Sequence, residues 1–315
     1  MVDVVALGEV LIDFAQRDID SKGFPTLTAN PGGAPANFLT PISKYGLKTA
    51  LLAKVGNDAF GKLLLKTLKD NKINTKNVIV DDKYFTTLAF VTINSKGDRS
   101  FSFSRKPGAD TMLKYDEVDL SLIDKCKVFH FGTLSLTNNP SKTTTKKLVK
   151  YAKSKNKLIS FDPNLRKPLW NNLDDAKEEM LYGLKNSDVV KISDEEVKFL
   201  FNIKGEKATD YILNKYKNIK LLYVTCGEKG SYYATNKYKG FVKALSNIRI
   251  KDTTGAGDIF GGSAMYKLLS LKKDISKLSN DDLINIVTFA TNVAGLSTTK
   301  LGGISSVPDL MEIQL

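Results

Sequence analysis

Short, almost continuously apolar runs alternate along this chain with stretches whose apolar positions recur every three to four residues. The runs at residues 2–7, 50–55, 128–131, 158–161, 189–192 and 221–225 read as strands covered on both faces. Between them, residues 59–70, 141–154, 174–184, 195–201 and 207–216 have the spacing of amphipathic helices. Across residues 142–157 lysines mark a solvated side, with Val149 and Ala152 on the other. Strand–helix alternation of this kind predicts βαβ units on a mostly parallel sheet. Such sheets bind ligands at the carboxyl ends of their strands.

Two stretches break the rhythm. Residues 10–14 continue past Gly8 in alternation, and residues 87–93 and 100–104 flank Ser95-Lys96-Gly97-Asp98, a hairpin signal. Phe101, Phe103 and Arg105 alternate as in a half-exposed sheet. These segments, about 10–30 and 86–105, are expected to form a small β lid inserted in one domain spanning residues 1–315. An exposed apolar sheet face is a liability. Phe101 or Phe103 should therefore face a ligand or the second subunit of a homodimer joined through the lid.

Composition narrows the class. At 315 residues, 42% hydrophobic and 26% charged, the chain can bury a large core as a soluble globular protein. No apolar run approaches the roughly 20 residues that span a bilayer, so no membrane partner is expected. Met1-Val2-Asp3-Val4-Val5 has no basic n-region, so a signal peptide is not expected. Cys126 and Cys226 form neither a metal pattern nor a disulfide framework, which suits a reducing cytoplasm. The net charge of +13 comes mostly from dispersed lysines, without interleaved stacking aromatics. It therefore argues against a nucleic-acid partner while attracting anionic nucleotides.

The strongest chemical signal is Asp252-Thr253-Thr254-Gly255-Ala256-Gly257-Asp258, followed by an apolar helix over 259–269. Glycines before a helix let backbone N–H groups converge, and the helix dipole adds positive charge: an anion hole for a phosphate. Asp258 would repel a resting phosphate there unless it serves as the base for an attacking hydroxyl. Read as structure alone, the stretch is a glycine turn with an acidic first helical turn. It lacks the downstream acidic residue of a dinucleotide site, and the chain has no Gly-Lys-Ser/Thr of a Walker loop.

Three weaker signals follow. Pro31-Gly32-Gly33-Ala34-Pro35-Ala36-Asn37 opens a helix running to Tyr45-Gly46, with Asn37 able to bond hydroxyls and Pro41 expected to kink it. By itself it is first of all a loop with a proline-initiated helix. Asp162-Pro163-Asn164-Leu165-Arg166 projects polar groups from a strand end, or is a surface turn. Thr225-Cys226-Gly227-Glu228-Lys229-Gly230 is a second strand-to-glycine turn that reads equally as a hairpin. His130, the single histidine, sits in an apolar strand as a core residue. One histidine and no reactive-cysteine setting argue against hydrolase triads and zinc sites.

Together these motifs resemble the ribokinase-like (phosphofructokinase-B) carbohydrate kinases over nearly the whole chain. Gly32-Gly33-x-x-x-Asn37 resembles the family's first signature and Asp252 to Asp258 its second. Gly8-Glu9-x-Leu11-Ile12-Asp13-Phe14, Lys54-Val55-Gly56-Asn57-Asp58-x-Phe60-Gly61, Arg105-Lys106-Pro107-Gly108-Ala109-Asp110 and Asp162-Pro163-Asn164-Leu165-Arg166-x-Pro168-Leu169-Trp170 are similar to the fructokinase subgroup. The resemblance implies a three-layer α/β/α sandwich with a small β-sheet lid, and ATP-dependent phosphorylation of D-fructose to fructose 6-phosphate. It implies Asp258 as base, with Gly255, Ala256 and Gly257 as anion hole and Arg166 near the sugar or the transferred phosphate. Asp13, Gly32, Gly33, Asn37, Phe101, Phe103 and Arg105 would hold the sugar. Asn164, Lys191, Ser193, Glu196, Thr225, Gly227, Gly230 and Asn292 would lie along the nucleotide. Mg²⁺ would bridge its phosphates, and Asp252, Thr254, Gly302 and Ser306 would bind K⁺. Ser193 stands where the family usually has Asn, and Ile259 where it usually has Ala. A 2-keto-3-deoxygluconate kinase is the nearest alternative activity. A non-catalytic sugar-sensing or nucleic-acid-binding protein on the same fold is the alternative of another class.

Overall fold

The structure is a computed structural model that describes residues 2–93 and 99–313. The expected turn at residues 95–98 and the side chain of Phe101 lie outside what it describes. In chain order the strands are β1 (Val4–Leu7), β2 (Leu11–Ile19), β3 (Pro25–Gly32), β4 (Thr49–Gly56), β5 (Ile73–Asn74), β6 (Val78–Asp81), β7 (Leu88–Ile93), β8 (Arg99–Ser104), β9 (Val128–Gly132), β10 (Leu158–Asp162), β11 (Val189–Ser193), β12 (Leu221–Thr225), β13 (Gly230–Ala234) and β14 (Lys239–Lys243). The helices are α1 (Ala34–Lys44), α2 (Ala59–Asp70), α3 (Ser121–Asp124), α4 (Ser141–Ser154), α5 (Leu173–Asn186), α6 (Asp194–Phe201), α7 (Glu206–Lys215), α8 (Ala256–Ser270) and α9 (Asn280–Ser297).

The large sheet runs β14-β13-β12-β11-β10-β9-β1-β4-β5, with β6 also pairing β4. Its pairs are parallel from β11–β12 through β4, and β13 and β14 close one edge antiparallel. Side chains alternate between two cores, as a period of two requires. Val4, Ala6, Leu51 and Ala53 pack with residues of α1, α8 and α9. Val5, Leu7, Ala50 and Leu52 pack on the other side with residues of α4 and α7. Helices on both faces make three layers and explain the continuous apolar runs. Each fully buried Leu, Ile or Phe, such as Leu7, Leu52 and Phe131, contributes about 1.5–3 kcal/mol.

The smaller sheet has the order β3-β2-β7-β8 and matches the two off-pattern segments. β2 begins just past β1, so this sheet springs from the carboxyl end of the large one. Near its root Phe14 stacks on Phe90 and meets Phe60 of α2 edge-on. Asp58 caps α2 by accepting from the N–H groups of Phe60 and Gly61, and its other oxygen accepts from Thr86 N at 2.8 Å. One carboxylate thus starts a helix and fastens the approach to β7.

α1 continues through Pro41 to Lys44. The proline lies at the contact with α8, where a side chain at Gly262 would meet the proline ring. α9, β14 and the short β5 and β6 have no counterpart in the sequence reading.

Candidate active site

The carboxyl ends of β1, β10 and β11, the first turns of α1 and α8, and the small sheet enclose a cleft of ≈ 550 Å³. That volume suits a small ligand. The structure brings Asp13, Gly33, Asn37, Phe103, Asn164, Arg166, Ser193, Glu196, Thr254, Gly255 and Asp258 to its lining. These are drawn from positions far apart in sequence.

Two helix starts form the floor. Gly255 caps α8 at φ +75°, and a Cβ there would press on the Asn37 amide. Gly33 caps α1 at φ +114°, and a Cβ would stand 2.5 Å from the Glu9 carbonyl oxygen. Only glycine takes both the left-handed backbone and the close approach. Neither cap is made by a side chain, so both helix starts leave N–H groups for other acceptors. The Glu9 carboxylate takes one of them, accepting from Ala34 N at 2.9 Å.

Asp258 lies in the first turn of α8, buried, and its Oδ2 accepts from Asn37 Nδ2 at 2.9 Å. The two signature motifs therefore meet through one hydrogen bond. Asn37 Oδ1 is buried and has no partner among the described residues, which suits a ligand hydroxyl. Burial raises the Asp258 pKa, opposed by Lys191, the Asn37 hydrogen bond and Arg166. Asp13, across the cleft, is pushed up to about 6 by burial, with Arg166 acting against it. Glu9 is pushed up to about 7, again by burial.

Behind this floor, Lys191 Nζ lies 2.9 Å from Asp162 Oδ2, both nearly buried. Asp162 Oδ1 accepts from Asn164 N at 3.2 Å. Glu196 is committed to the backbone: its carboxylate accepts from Leu165 N at 2.7 Å and from Ser193 N at 2.8 Å. Ser193 Oγ returns the bond from Glu196 N, completing a capping box at α6.

Several expected residues lie off the lining. Arg105 is buried, with its guanidinium taken up by Asp110, Thr137 Oγ1 and the Leu134 carbonyl; it braces the end of the small sheet. Gly32 lies beside Asp13, whose carboxylate oxygen stands 2.5 Å from where a Cβ would be. Ala256 and Gly257 fill the first turn of α8. Thr225 ends β12 opposite Ser193 of β11, and Gly227 opens the short turn beyond it. Gly230 begins the antiparallel return strand, so this stretch is the hairpin of the alternative reading. Asn292 lies on α9.

Asp252 accepts from Thr254 N at 3.0 Å and Oγ1 at 2.6 Å, and its other oxygen accepts from Gly302 N at 3.1 Å. Ser306 is buried beside them, bonding the Gly303 carbonyl. The four expected cation residues thus share one corner behind the glycine turn. Among the described residues no group of three or more His, Cys, Asp or Glu is placed to hold a metal alone.

His130 is a core residue, stacked on Phe38 and bonded to Ser160 Oγ at 3.0 Å, and burial holds its pKa down to about 3. Sequence reasoning missed Glu9, Lys167, Glu195 and Phe199 on the cleft lining. Glu9 belongs to the Gly8-Glu9-x-Leu11-Ile12-Asp13-Phe14 motif, which by itself assigns it no role. No described helix is long and apolar enough to cross a membrane.

A model of the pfkB family of carbohydrate kinases matches residues 1–310. Fructokinase-1 of Zea mays is 36% identical over 315 residues, covering 98% of this chain and 96% of its own. Fructokinase-2 of Oryza sativa subsp. japonica is 39% identical over 318 residues, covering 99% and 92%. A fructokinase with bound ATP from Xylella fastidiosa superposes with TM-score 0.90 at 26% identity, covering 99% of this chain and 97% of that one. A double-mutant fructokinase of Vibrio cholerae O395, in a form with fructose, ADP and a potassium ion bound, gives TM-score 0.87 at 29% identity, covering 99% and 97%.

Proposed function

The chain belongs to the pfkB family of carbohydrate kinases and is a sugar kinase, and on that premise we propose that it transfers the γ-phosphoryl group of ATP to the 6-hydroxyl of D-fructose. The observation that carries this reading is Asp258: a buried carboxylate in the first turn of α8, oriented by Asn37 and lining the cleft with Asp13 and Arg166. The fructose-bound and ATP-bound relatives support the choice of sugar and nucleotide.

In this mechanism Asp13, Gly33 and Asn37 hold sugar hydroxyls. The Asp258 carboxylate accepts the proton of the 6-hydroxyl as its oxygen bonds to phosphorus. The bond from phosphorus to the β–γ bridging oxygen breaks, and ADP leaves with that electron pair. The N–H groups from Gly255 to Gly257 and the Arg166 guanidinium meet the charge spread over the moving phosphoryl. Positioning and charge neutralisation carry the rate.

Both oxygens of Glu196 already accept backbone N–H groups. Mg²⁺ would be held chiefly by the nucleotide phosphates and water, with Glu195 a further carboxylate on the lining. The ion would neutralise phosphate charge. The oxygen-rich corner of Asp252, Thr254, Gly302 and Ser306 fits a monovalent cation, for which we propose K⁺. The small sheet serves as a lid, with Phe103 and Val91 covering the sugar. Its outer apolar residues Ile19 and Phe24 suit pairing with a second copy of the chain. The setting we propose is the cytoplasm.

ADP release coupled to a reporter, run over a panel of sugars, tests the reading. Fructose should give the highest kcat/KM, with the product identified as the 6-phosphate by ³¹P NMR. Preference for 2-keto-3-deoxygluconate, or ADP release independent of sugar, would contradict it.

A further inference from the structure

A nearly buried ammonium lies between a strand-end carboxylate and the glycine turn that carries Asp258. Asp162 ends β10 and Lys191 lies one strand over on β11, with Nζ 2.9 Å from Asp162 Oδ2. The same Nζ lies 2.8 Å from where a Cβ on Gly257 would be, and Gly257 immediately precedes Asp258. The ammonium thus sits against the glycine turn, in space that a side chain at Gly257 would take from it. Asp162 and Asp258 are buried and the Lys191 side chain is nearly so, and charges in such surroundings act strongly on one another.

We propose that Lys191 is a positioning residue for phosphoryl transfer: shared by Asp162 and Asp258, it holds the base ionised, and Asp162 limits how strongly it does so. This rests on the reading of Asp258 as the base.

The electrostatics agree with the geometry. Burial raises the Asp258 pKa, and Lys191 is the foremost influence lowering it. Burial likewise raises the Asp162 pKa, again with Lys191 the foremost opposing charge. Burial alone would weaken the ammonium, yet Asp162, Glu196 and Asp258 together hold its pKa above the ordinary lysine value. It therefore stays charged while the carboxylates compete for it. The other groups facing Asp258 are Asn37 from α1, Arg166 from the loop after β10, Glu196 from α6 and Asp13 from β2. His130, also near Lys191, stays neutral throughout the working range.

On the acid side of the kcat/KM profile the base is protonated and turnover falls. Removing the ammonium makes Asp258 harder to ionise, so this limb moves up. Removing the charge on Asp162 leaves Lys191 to Asp258, so the limb moves down. The experiment is the pH dependence of kcat/KM for fructose in Lys191→Met, Asp162→Asn and Asp258→Asn, with circular dichroism to confirm folding. Lys191→Met should raise the limb by roughly one pH unit, an approximately tenfold loss on the acid side. Asp162→Asn should lower it. Should Lys191→Met fail to fold, an unmoved or raised limb in Asp162→Asn overturns the proposal. With both variants folded, anything other than opposite movements overturns it. Asp258→Asn separates the two claims: near wild-type turnover there defeats the base assignment itself, whereas an inactive variant without the opposite shifts defeats only the role of Lys191.

Discussion

The large sheet is covered by helices on both faces, whereas the small sheet turns one face to the cleft and rests the other on α2 only near its root. Along β2 this difference becomes a gradient, from Leu11 at 5% exposure to Ile19 at 57%. The cleft residues follow the same division. The large sheet and its helices supply Asp258, Asn37, Arg166 and the buried Asp162–Lys191 pair. The small sheet supplies Leu11, Val91 and Phe103, with Asp13 as its one charged contribution to the lining among the described residues. On the proposed reading, the charged chemistry sits on the element packed on both faces, and the apolar cover on the element packed chiefly at its root. Damage to the first should therefore lower turnover. Damage to the second should weaken sugar binding.

The sharpest place to break this comparison is Gly33, which joins β3 to α1 between the two regions. Gly33→Ala introduces a Cβ 2.5 Å from the Glu9 carbonyl at a φ of +114°. Backbone strain of this kind costs on the order of 1–3 kcal/mol, so kcat/KM for fructose should fall by up to about a hundredfold. Unchanged kinetics in a folded variant would show that this turn does not hold the sugar. Phe103→Ala sharpens the comparison from the other side. Loss of part of an aromatic contact should raise the fructose KM by about tenfold with kcat nearly unchanged. A fall in kcat alone would mean that the small sheet takes part in the chemistry. The smallest effect should come from replacing K⁺ by a large organic cation at matched ionic strength. A loose corner at Asp252 and Gly302 should lower kcat/KM modestly, and equal rates in both salts would rule out a cation there.

The same division explains what the sequence made legible. Strands covered on both faces, such as Val128–Gly132 and Leu221–Thr225, read as unbroken apolar runs and fall within a residue of expectation. β14 was missed because a lysine at each end and a glycine beside the first make this short edge strand look like a loop. α9 was missed although Ser279 and Asp282 form a capping box: its buried Leu283, Ile286, Val287, Phe289, Ala290 and Val293 leave no clean polar stripe to mark a helix. In the site, contiguous motifs such as Gly255-Ala256-Gly257-Asp258 were visible because their chemistry is local. The pairing of Asp162 with Lys191 needs the register of β10 on β11, and Arg105 looked like a ligand contact until its buried partners Asp110 and Thr137 were in place. Side chains that meet across strands leave no spacing rule in a single sequence.

The most direct test of the central claim is the turnover of Asp258→Asn with fructose and ATP, measured beside the wild type at neutral pH. The substitution keeps the shape of the side chain and the neighbouring Asn37 while removing the proton acceptor. Loss of a general base costs about 10²- to 10⁴-fold in kcat. A fall of that size, with an unchanged circular dichroism spectrum and ATP still bound, is the result this account predicts. Turnover close to wild type would contradict it.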